Sequence, residues 1–103
     1  LNATEMQIFS AMGSGKPVGP ASSMLKCAGS EAQQAITELA LEAVGGYAAP
    51  FVQDTWAMTN DPRPGPDYAA PVAPSYFNYR KASIYAGSNE IQRNIMAKLV
   101  LGL

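Results

Sequence analysis

Apolar and polar positions alternate with helical spacing through the middle of the chain. Between Ala21 and Val44, apolar residues recur every three or four positions and polar residues lie on the opposite side of a helix. The apolar stripe consists of Leu25, Ala28, Ala32, Ile36, Leu39 and Ala43, and the polar side includes Ser30, Gln34, Thr37 and Glu38. This spacing predicts an amphipathic helix over Ala21–Val44, with its alanine-rich stripe buried against a neighbouring helix.

Both ends of this helix carry boundary signals. Pro20 suits the first helical position, because the N–H that proline lacks would have no partner there. Gly45 and Gly46 follow Val44, and glycine readily adopts the left-handed conformation that closes a helix. The sequence therefore predicts that the helix ends at Val44.

Three further helices are predicted from the same kind of spacing. They cover about Asn2–Met12, Ser75–Ala86 and Asn89–Leu101. The last helix has one apolar stripe of Ile91, Ile95 and Leu99 and an adjacent one of Met96, Val100 and Leu103. Asn89, with Gln92 three residues later, resembles a capping box that begins this helix.

The segment from Ala48 to Pro74 has a different character. It carries six prolines, which exclude a persistent regular element, and three aromatic residues, Phe51, Trp56 and Tyr68. We expect these aromatic side chains to pack against a surface. Because no segment shows the alternating pattern of a strand, the predicted fold is all-α, a four-helix bundle with a long proline-rich loop.

Composition limits the functions that this chain can perform alone. Its 103 residues suffice for one small domain, and with 48% hydrophobic and 15% charged residues we expect part of the surface to be covered. The net charge of −1 does not indicate nucleic-acid binding, no apolar run is long enough to cross a membrane, and the absence of histidine disfavours metal sites. The single cysteine, Cys27, fits a reducing compartment, and we expect a buried structural thiol.

The turn before the last helix is the main candidate for chemistry. Gly87, Ser88 and Asn89 interrupt the helical pattern, and the acidic residue Glu90 follows at once. One interpretation is a plain helix cap, in which Ser88 or Asn89 closes the helix and Glu90 complements its dipole. The other is a site where the backbone groups of a helix start meet an anionic or polar ligand.

Longer stretches of the sequence resemble a known family. The stretch "IYAGSNEIQRNIMAKLVLGL" resembles the C-terminal end of acyl-CoA dehydrogenases, which has a pattern like I-Y-x-G-[TS]-x-x-I-Q-R. The stretch "ASSMLKCAGSEAQQAITELALEAVGG" is similar to the long bundle helix of that family, with Ser23, Lys26 and Glu31 at matching positions. The likeness extends over nearly the whole chain. It is strongest to a bacterial branch that includes pimeloyl-CoA dehydrogenase large subunits and enzymes of steroid side-chain breakdown.

The resemblance implies a fold and a partial site. Residues 1–103 would form a C-terminal, partial up-and-down four-helix bundle, a fragment of a larger bacterial, cytoplasmic enzyme. By position, Ser88 and Glu90 would contact the cofactor FAD, and Tyr85, Ala86 and Gly87 would lie beside the acyl-CoA substrate. Gly45 and Gly46 match the family's Q-x-x-G-G, a second FAD contact made across a subunit interface, although they are equally compatible with a simple helix cap. Glu42 stands where that motif has glutamine.

The implied activity is α,β-dehydrogenation of an acyl-CoA thioester, and the main departure concerns its base. The family often carries a carboxylate base at the position of Ala86, and alanine cannot take a proton. The base would then come from an earlier helix outside this chain, and the smaller side chain would leave room for a bulkier acyl group. Asn78 and Phe77 also depart from the Asp and Arg that are usual there.

Two kinds of function remain open at this stage. The first is a contribution to FAD binding, acyl binding and the subunit interface of a homo- or hetero-oligomeric dehydrogenase, with an acyl-CoA oxidase as a variant of the same chemistry. In this case we expect the isolated chain to be inactive. The second is a non-catalytic helical module or inactive subunit that serves assembly alone.

Overall fold

Every regular element that the computed structural model describes, in residues 1–50 and 64–102, is helical. Four α-helices follow one another in these ranges: α1 (Asn2–Gly13), α2 (Ala21–Val44), α3 (Val72–Tyr79) and α4 (Asn89–Leu101). Short 3-10 turns, Gly45–Ala48 and Arg80–Ser83, follow α2 and α3. The all-α prediction is confirmed, and α2, with 24 residues, is the longest helix of the described ranges.

The predicted bounds of α2 and α4 are confirmed, whereas the prediction for α3 is wrong at both ends. Helix α3 begins at Val72 instead of Ser75, and its α-helical part ends at Tyr79 instead of Ala86. Pro74 lies in the first turn, where a backbone N–H has no partner within the helix, so a proline does no harm. The prediction treated Pro74 as the end of an irregular stretch and therefore started the helix too late.

Part of the proline-rich segment tests the predicted packing of its aromatic residues. Phe51 and Trp56 lie outside the described residues. Tyr68 is 70% exposed, so the described residues of this chain leave it largely uncovered, and its packing against another surface stays a prediction. Its neighbour Ala69 is fully buried instead, in a turn where the Ala69 N–H donates to the carbonyl of Pro66. A small side chain thus occupies the interior position of this turn.

The chain divides into two compact units. The first consists of residues 1–32 with 81–103, and the second of residues 33–80. Helix α2 passes from one to the other, so its first half belongs to the first unit and its second half to the second.

The buried side of α2 is the opposite of the predicted one. Its buried residues are Ser23, Cys27 and Ser30, all in the first unit, which confirms the predicted burial of the cysteine. The predicted apolar stripe is largely exposed, at Ala28, Ile36, Leu39 and Ala43. Small side chains allow a neighbouring helix to approach closely, and Ser30 forms hydrogen bonds with Asn89 of α4, so the small polar side is buried instead of the apolar stripe.

In the second unit, Arg80 joins the end of α3 to the second half of α2. Its guanidinium carbon lies 4.3 Å from the ring centroid of Tyr76, a cation–π contact. One guanidinium nitrogen donates to the carbonyl of Gln34 at 2.8 Å, and the Gln34 side chain donates in return to the carbonyl of Arg80 at 3.1 Å. This reciprocal pair of bonds fixes the register of the two helices.

Much apolar surface of the other helices is also exposed. Helix α1 buries none of its residues, and Met6 and Phe9 are 69% and 61% exposed. On α4, Ile91 and Leu99 are 53% and 62% exposed. Among the described helices, none is both long and apolar enough to cross a membrane.

Candidate functional site

The corner before α4 is built from two consecutive residues in the left-handed region of the backbone. Ala86 has φ 55° and Gly87 has φ 85°. The positive φ of Gly87 favours glycine, and a Cβ there would also meet the movable end of the Gln92 side chain, 2.5 Å from its Nε2. Ala86 has no such freedom, and an L-residue in this conformation carries a cost of about 1–2 kcal/mol. The predicted break at Gly87 is confirmed, and part of the strain lies on the residue before it.

Helix α4 is capped by Ser88, one of the two residues that the helix-cap interpretation named. Ser88 has an extended backbone, and its hydroxyl oxygen accepts the N–H of Ile91 at 3.4 Å. The predicted capping box of Asn89 with Gln92 is therefore wrong. Asn89 is instead the first helical residue and only 4% exposed, because its side chain turns away from the helix end toward α2.

Glu90 keeps its negative charge at the start of α4. Its carboxylate accepts its own backbone N–H and the Ser88 hydroxyl, and these two bonds lower the pKa of Glu90 below the ordinary glutamate value. Desolvation opposes these two bonds, and the positive charges of Arg93 and then Lys26 lower the pKa further by smaller amounts. This exposed carboxylate engages the N–H of Glu90 and the Ser88 hydroxyl, so its oxygens offer hydrogen-bond acceptors and its negative charge disfavours an anion at the corner.

The residues proposed to meet the substrate form one exposed run on the corner. Tyr85, Ala86 and Gly87 are all exposed, and the Tyr85 side chain is 50% accessible. Before them, the 3-10 turn closes with the N–H groups of Ile84 and Tyr85 both donating to the carbonyl of Lys81. The backbone thus presents this run to the outside of the first unit.

A buried polar cluster holds the corner against α2. The Lys26 ammonium donates to Oδ1 of Asn89 at 2.7 Å, and Nδ2 of Asn89 donates to the Ser30 hydroxyl at 3.0 Å. The Ser30 hydroxyl also lies 2.9 Å from the carbonyl of Cys27. The thiol of Cys27 lies 3.7 Å from the carbonyl of Asn89. We refer to Lys26, Ser30 and Asn89 as the Asn89 cluster.

The glycine pair after α2 belongs to the second unit. Gly45 has φ 60°, so the left-handed ending of α2 is confirmed and explains this glycine. Gly46 has no positive φ, and a Cβ there would meet open space. Nothing within the described chain requires glycine at this second position. Glu42, one turn earlier, is exposed.

Sequence reasoning missed the importance of Asn89 and Ser30. Their signal is present, because Ser23, Cys27, Ser30, Gln34 and Thr37 recur at alternating spacings of four and three residues. That spacing marks one face of a helix. The prediction followed the hydrophobic residues and placed this small polar stripe on the side opposite the buried one.

Across the described part of the chain, no group of three or more cysteine or acidic residues is placed to hold a metal ion. The polar groups of the corner therefore offer hydrogen bonds and charge, and the Asn89 cluster supplies the rigid support behind them.

Comparison with known proteins identifies one family. The family model described as "Acyl-CoA dehydrogenase, C-terminal domain" matches residues 1–101. No curated protein and no solved structure matches the chain.

Proposed function

The chain belongs to the acyl-CoA dehydrogenase family through its C-terminal domain, and on this premise we propose that residues 1–103 form the C-terminal helical part of a FAD-dependent acyl-CoA dehydrogenase. The parent enzyme catalyses α,β-dehydrogenation of an acyl-CoA thioester, in the bacterial branch of pimeloyl-CoA and steroid-degrading dehydrogenases. The corner of residues 85–90 contributes contacts to FAD and to the acyl chain. The observation that carries this proposal is the strained, exposed corner, which is held by the buried Asn89 cluster.

The corner fits one part of FAD better than another. The N–H of Ile91 donates to Ser88 and that of Glu90 to its own carboxylate, so a pyrophosphate would meet a negative charge and two donors that are already engaged. Ribose hydroxyl and adenine amino groups are donors, and the ionised Glu90 accepts from them. We therefore assign the adenosine part of FAD to Glu90, with Ser88 beside it.

Ala86 leaves the proton chemistry to another part of the enzyme. In this family FAD, when bound, accepts a hydride, and a carboxylate removes the α-proton. Ala86 cannot do so, and Glu90 is a weak base because its pKa is lowered. The base therefore comes from outside the described residues, and the small Ala86 widens the acyl pocket.

A substitution pair tests the placement of Ala86 at the substrate. In the flavin-loaded parent, Ala86→Glu and Ala86→Gln add nearly the same volume, but glutamate alone can take a proton. If the base lies elsewhere, both variants should slow anaerobic flavin bleaching with a bulky acyl-CoA more than with a short one. If the parent has no base, Ala86→Glu alone should create bleaching. If neither substitution changes the rate of flavin bleaching, Ala86 lies away from the substrate.

Gly45 and Gly46 are proposed to contact the FAD of a neighbouring subunit. The support is Gly46, which the chain's own backbone does not require to be glycine and which therefore leaves room for an approaching ligand. Glu42 would then repel the pyrophosphate. We expect Glu42→Gln to tighten FAD binding, while Glu38→Gln, one turn earlier on the same helix and equally exposed, leaves it unchanged. If both variants bind FAD with the same affinity, the glycine pair serves only as a helix cap.

The isolated chain is expected to bind FAD weakly or not at all, because the family's flavin lies between this bundle, a β-domain and a neighbouring subunit. Titrating FAD into the purified chain while following flavin fluorescence tests this, and submicromolar binding would contradict it.

A second candidate function is a non-catalytic assembly subunit. The observation that favours it is Ala86 at the usual base position, together with the exposed apolar residues of α1 and α4. The colour of the purified parent separates the two candidates. A flavin absorbance spectrum supports the dehydrogenase, whereas a colourless protein that pairs with a homologous chain supports the assembly role.

A further inference from the structure

Asn89 holds a position from which it can orient both neighbours at the corner. It lies between Ser88 and Glu90 in the chain, yet its own side chain is buried in the first unit with 4% exposure. Ser88 and Glu90 point to the helix end, while Asn89 points to α2. Any movement of the Asn89 side chain therefore shifts both residues that the proposed function assigns to FAD.

The chemistry of Lys26 decides which atom of the Asn89 amide faces it. The Lys26 ammonium has no acceptor, so Oδ1 of Asn89 must face it at 2.7 Å. The Asn89 amide nitrogen then donates to the Ser30 hydroxyl at 3.0 Å, and this hydroxyl donates to the Cys27 carbonyl at 2.9 Å. The Ser30 hydroxyl also lies 3.1 Å from Oδ1 of Asn89, so its proton has two possible acceptors. A flipped amide would turn its nitrogen toward the Lys26 ammonium, so the bond from Lys26 fixes the orientation of the amide.

We propose that Lys26, Ser30 and Asn89 are positioning residues that fix the start of α4 and thereby aim Ser88 and Glu90 at the adenosine part of FAD. This inference rests on the proposed function. The Lys26 bond is charge-assisted and the amide bonds are buried, which are the conditions under which hydrogen bonds hold a geometry most firmly. The chain also offers a contrast, since Glu31 and Arg93 form an exposed ion pair between α2 and α4 that does not touch the corner.

The first experiment measures the corner without any flavin. Amide hydrogen exchange is followed by mass spectrometry in the flavin-stripped parent, on a peptide that covers residues 84–98. Lys26→Met, which keeps the aliphatic stem, and Asn89→Leu, which keeps the volume, should each speed exchange in this peptide at least about tenfold, the usual consequence of losing a charged or buried hydrogen bond. Glu31→Gln is the matched control and should leave exchange unchanged.

The second experiment measures FAD binding in the same variants. Lys26→Met and Asn89→Leu should each raise the FAD dissociation constant about tenfold. The double variant should raise it by less than the product of the two single effects, because both substitutions remove the same bond between Lys26 and Asn89. Asn89→Asp keeps an acceptor for Lys26 and should restore affinity to within about threefold. If Asn89→Leu does not fold, Lys26→Met decides, since it removes one partly exposed charge.

Separate outcomes would overturn the inference and the proposed function. If Ser88→Ala weakens FAD binding while Lys26→Met and Asn89→Leu behave like Glu31→Gln, the positioning role fails and the flavin site stands. A parent that binds no FAD overturns both.

Discussion

The two sides of helix α2 behave in opposite ways. The side of Ser23, Cys27 and Ser30 is small and polar, and it is buried. The side of Ile36 and Leu39 is apolar, and these residues are 66% and 63% exposed. Hydrophobicity alone would assign the two sides the other way round.

The difference shows what decides burial within this chain. The small polar side meets partners of complementary shape and hydrogen bonding on α4, so its polar groups are satisfied inside the first unit. The apolar side has no comparable partner among the described residues. In the proposed function, the small polar side orders the corner, and the apolar side contacts the rest of the enzyme or a neighbouring subunit.

The largest expected effect comes from adding volume to the buried side. Cys27→Leu inserts extra methyl groups at a residue with 7% exposure and should lower the free energy of unfolding by about 2 kcal/mol. Ala28→Leu adds a larger apolar side chain to the next residue, which is exposed, and should change stability by less than about 0.5 kcal/mol. Urea unfolding followed by circular dichroism measures both. Similar losses in the two variants would remove the distinction between the sides.

The next effect concerns association. We expect the exposed apolar residues to drive self-association of the isolated chain. Ile36→Ser combined with Leu39→Ser should weaken it by about tenfold, because a partly covered aliphatic side chain contributes only a fraction of the roughly 1.5–3 kcal/mol of full burial. Stability of the single chain should hardly change, since both residues are already exposed. Sedimentation velocity over a range of concentrations measures the association. Unchanged association would mean that this side of α2 does not form contacts between chains.

A smaller gain is expected at the corner that the buried side supports. Ala86→Gly should raise the free energy of unfolding by about 1 kcal/mol, because glycine adopts φ 55° without strain. Ala35→Gly, at an exposed position inside α2, is the opposite control and should lower stability by roughly 0.5–1 kcal/mol. Thermal unfolding of the two variants compares them. If Ala86→Gly lowers the free energy of unfolding, the backbone at Ala86 is not strained.

The smallest effect depends on pH. The folded pKa of Glu90 lies below its unfolded value, so its stabilising contribution is present above the unfolded pKa and is lost as pH falls through the folded pKa. Replacing it by Glu90→Gln should therefore flatten the decline of melting temperature in the acid range below the ordinary glutamate pKa of about 4.3. Glu38→Gln serves as the reference. Parallel acid profiles for the original protein and Glu90→Gln would contradict the assignment.

Helix bounds were predictable where local chemistry determines them. Gly45 and Gly87 both have a positive φ, which favours glycine, so the end of α2 and the start of α4 follow from glycine positions. Helix α3 was misplaced because proline is compatible with a first turn as well as with a loop. Local patterns cannot separate these two uses.

The helix start at the candidate site was predictable, but the contacts that support it were not. The sequence identified Ser88 and Glu90 at a helix start, and the structure shows the cap and the ionised carboxylate there. It could not reveal that Asn89 bonds to Lys26 and Ser30, which are about sixty residues earlier, because such contacts depend on the packing of two helices. The experiments described above test the proposal that these residues bind FAD.

The hydrogen bond from the Lys26 ammonium to Asn89 also predicts how related sequences can diverge. An acceptor at position 89 suits a cation at position 26, so Asn or Asp at 89 should accompany Lys or Arg at 26. A lineage that replaces the residue at 89 by an aliphatic one should lose the cation, and it should also change Ser30, which would otherwise keep a hydroxyl without its amide partner. Positions 26, 30 and 89 should therefore covary as a triplet in an alignment of homologues.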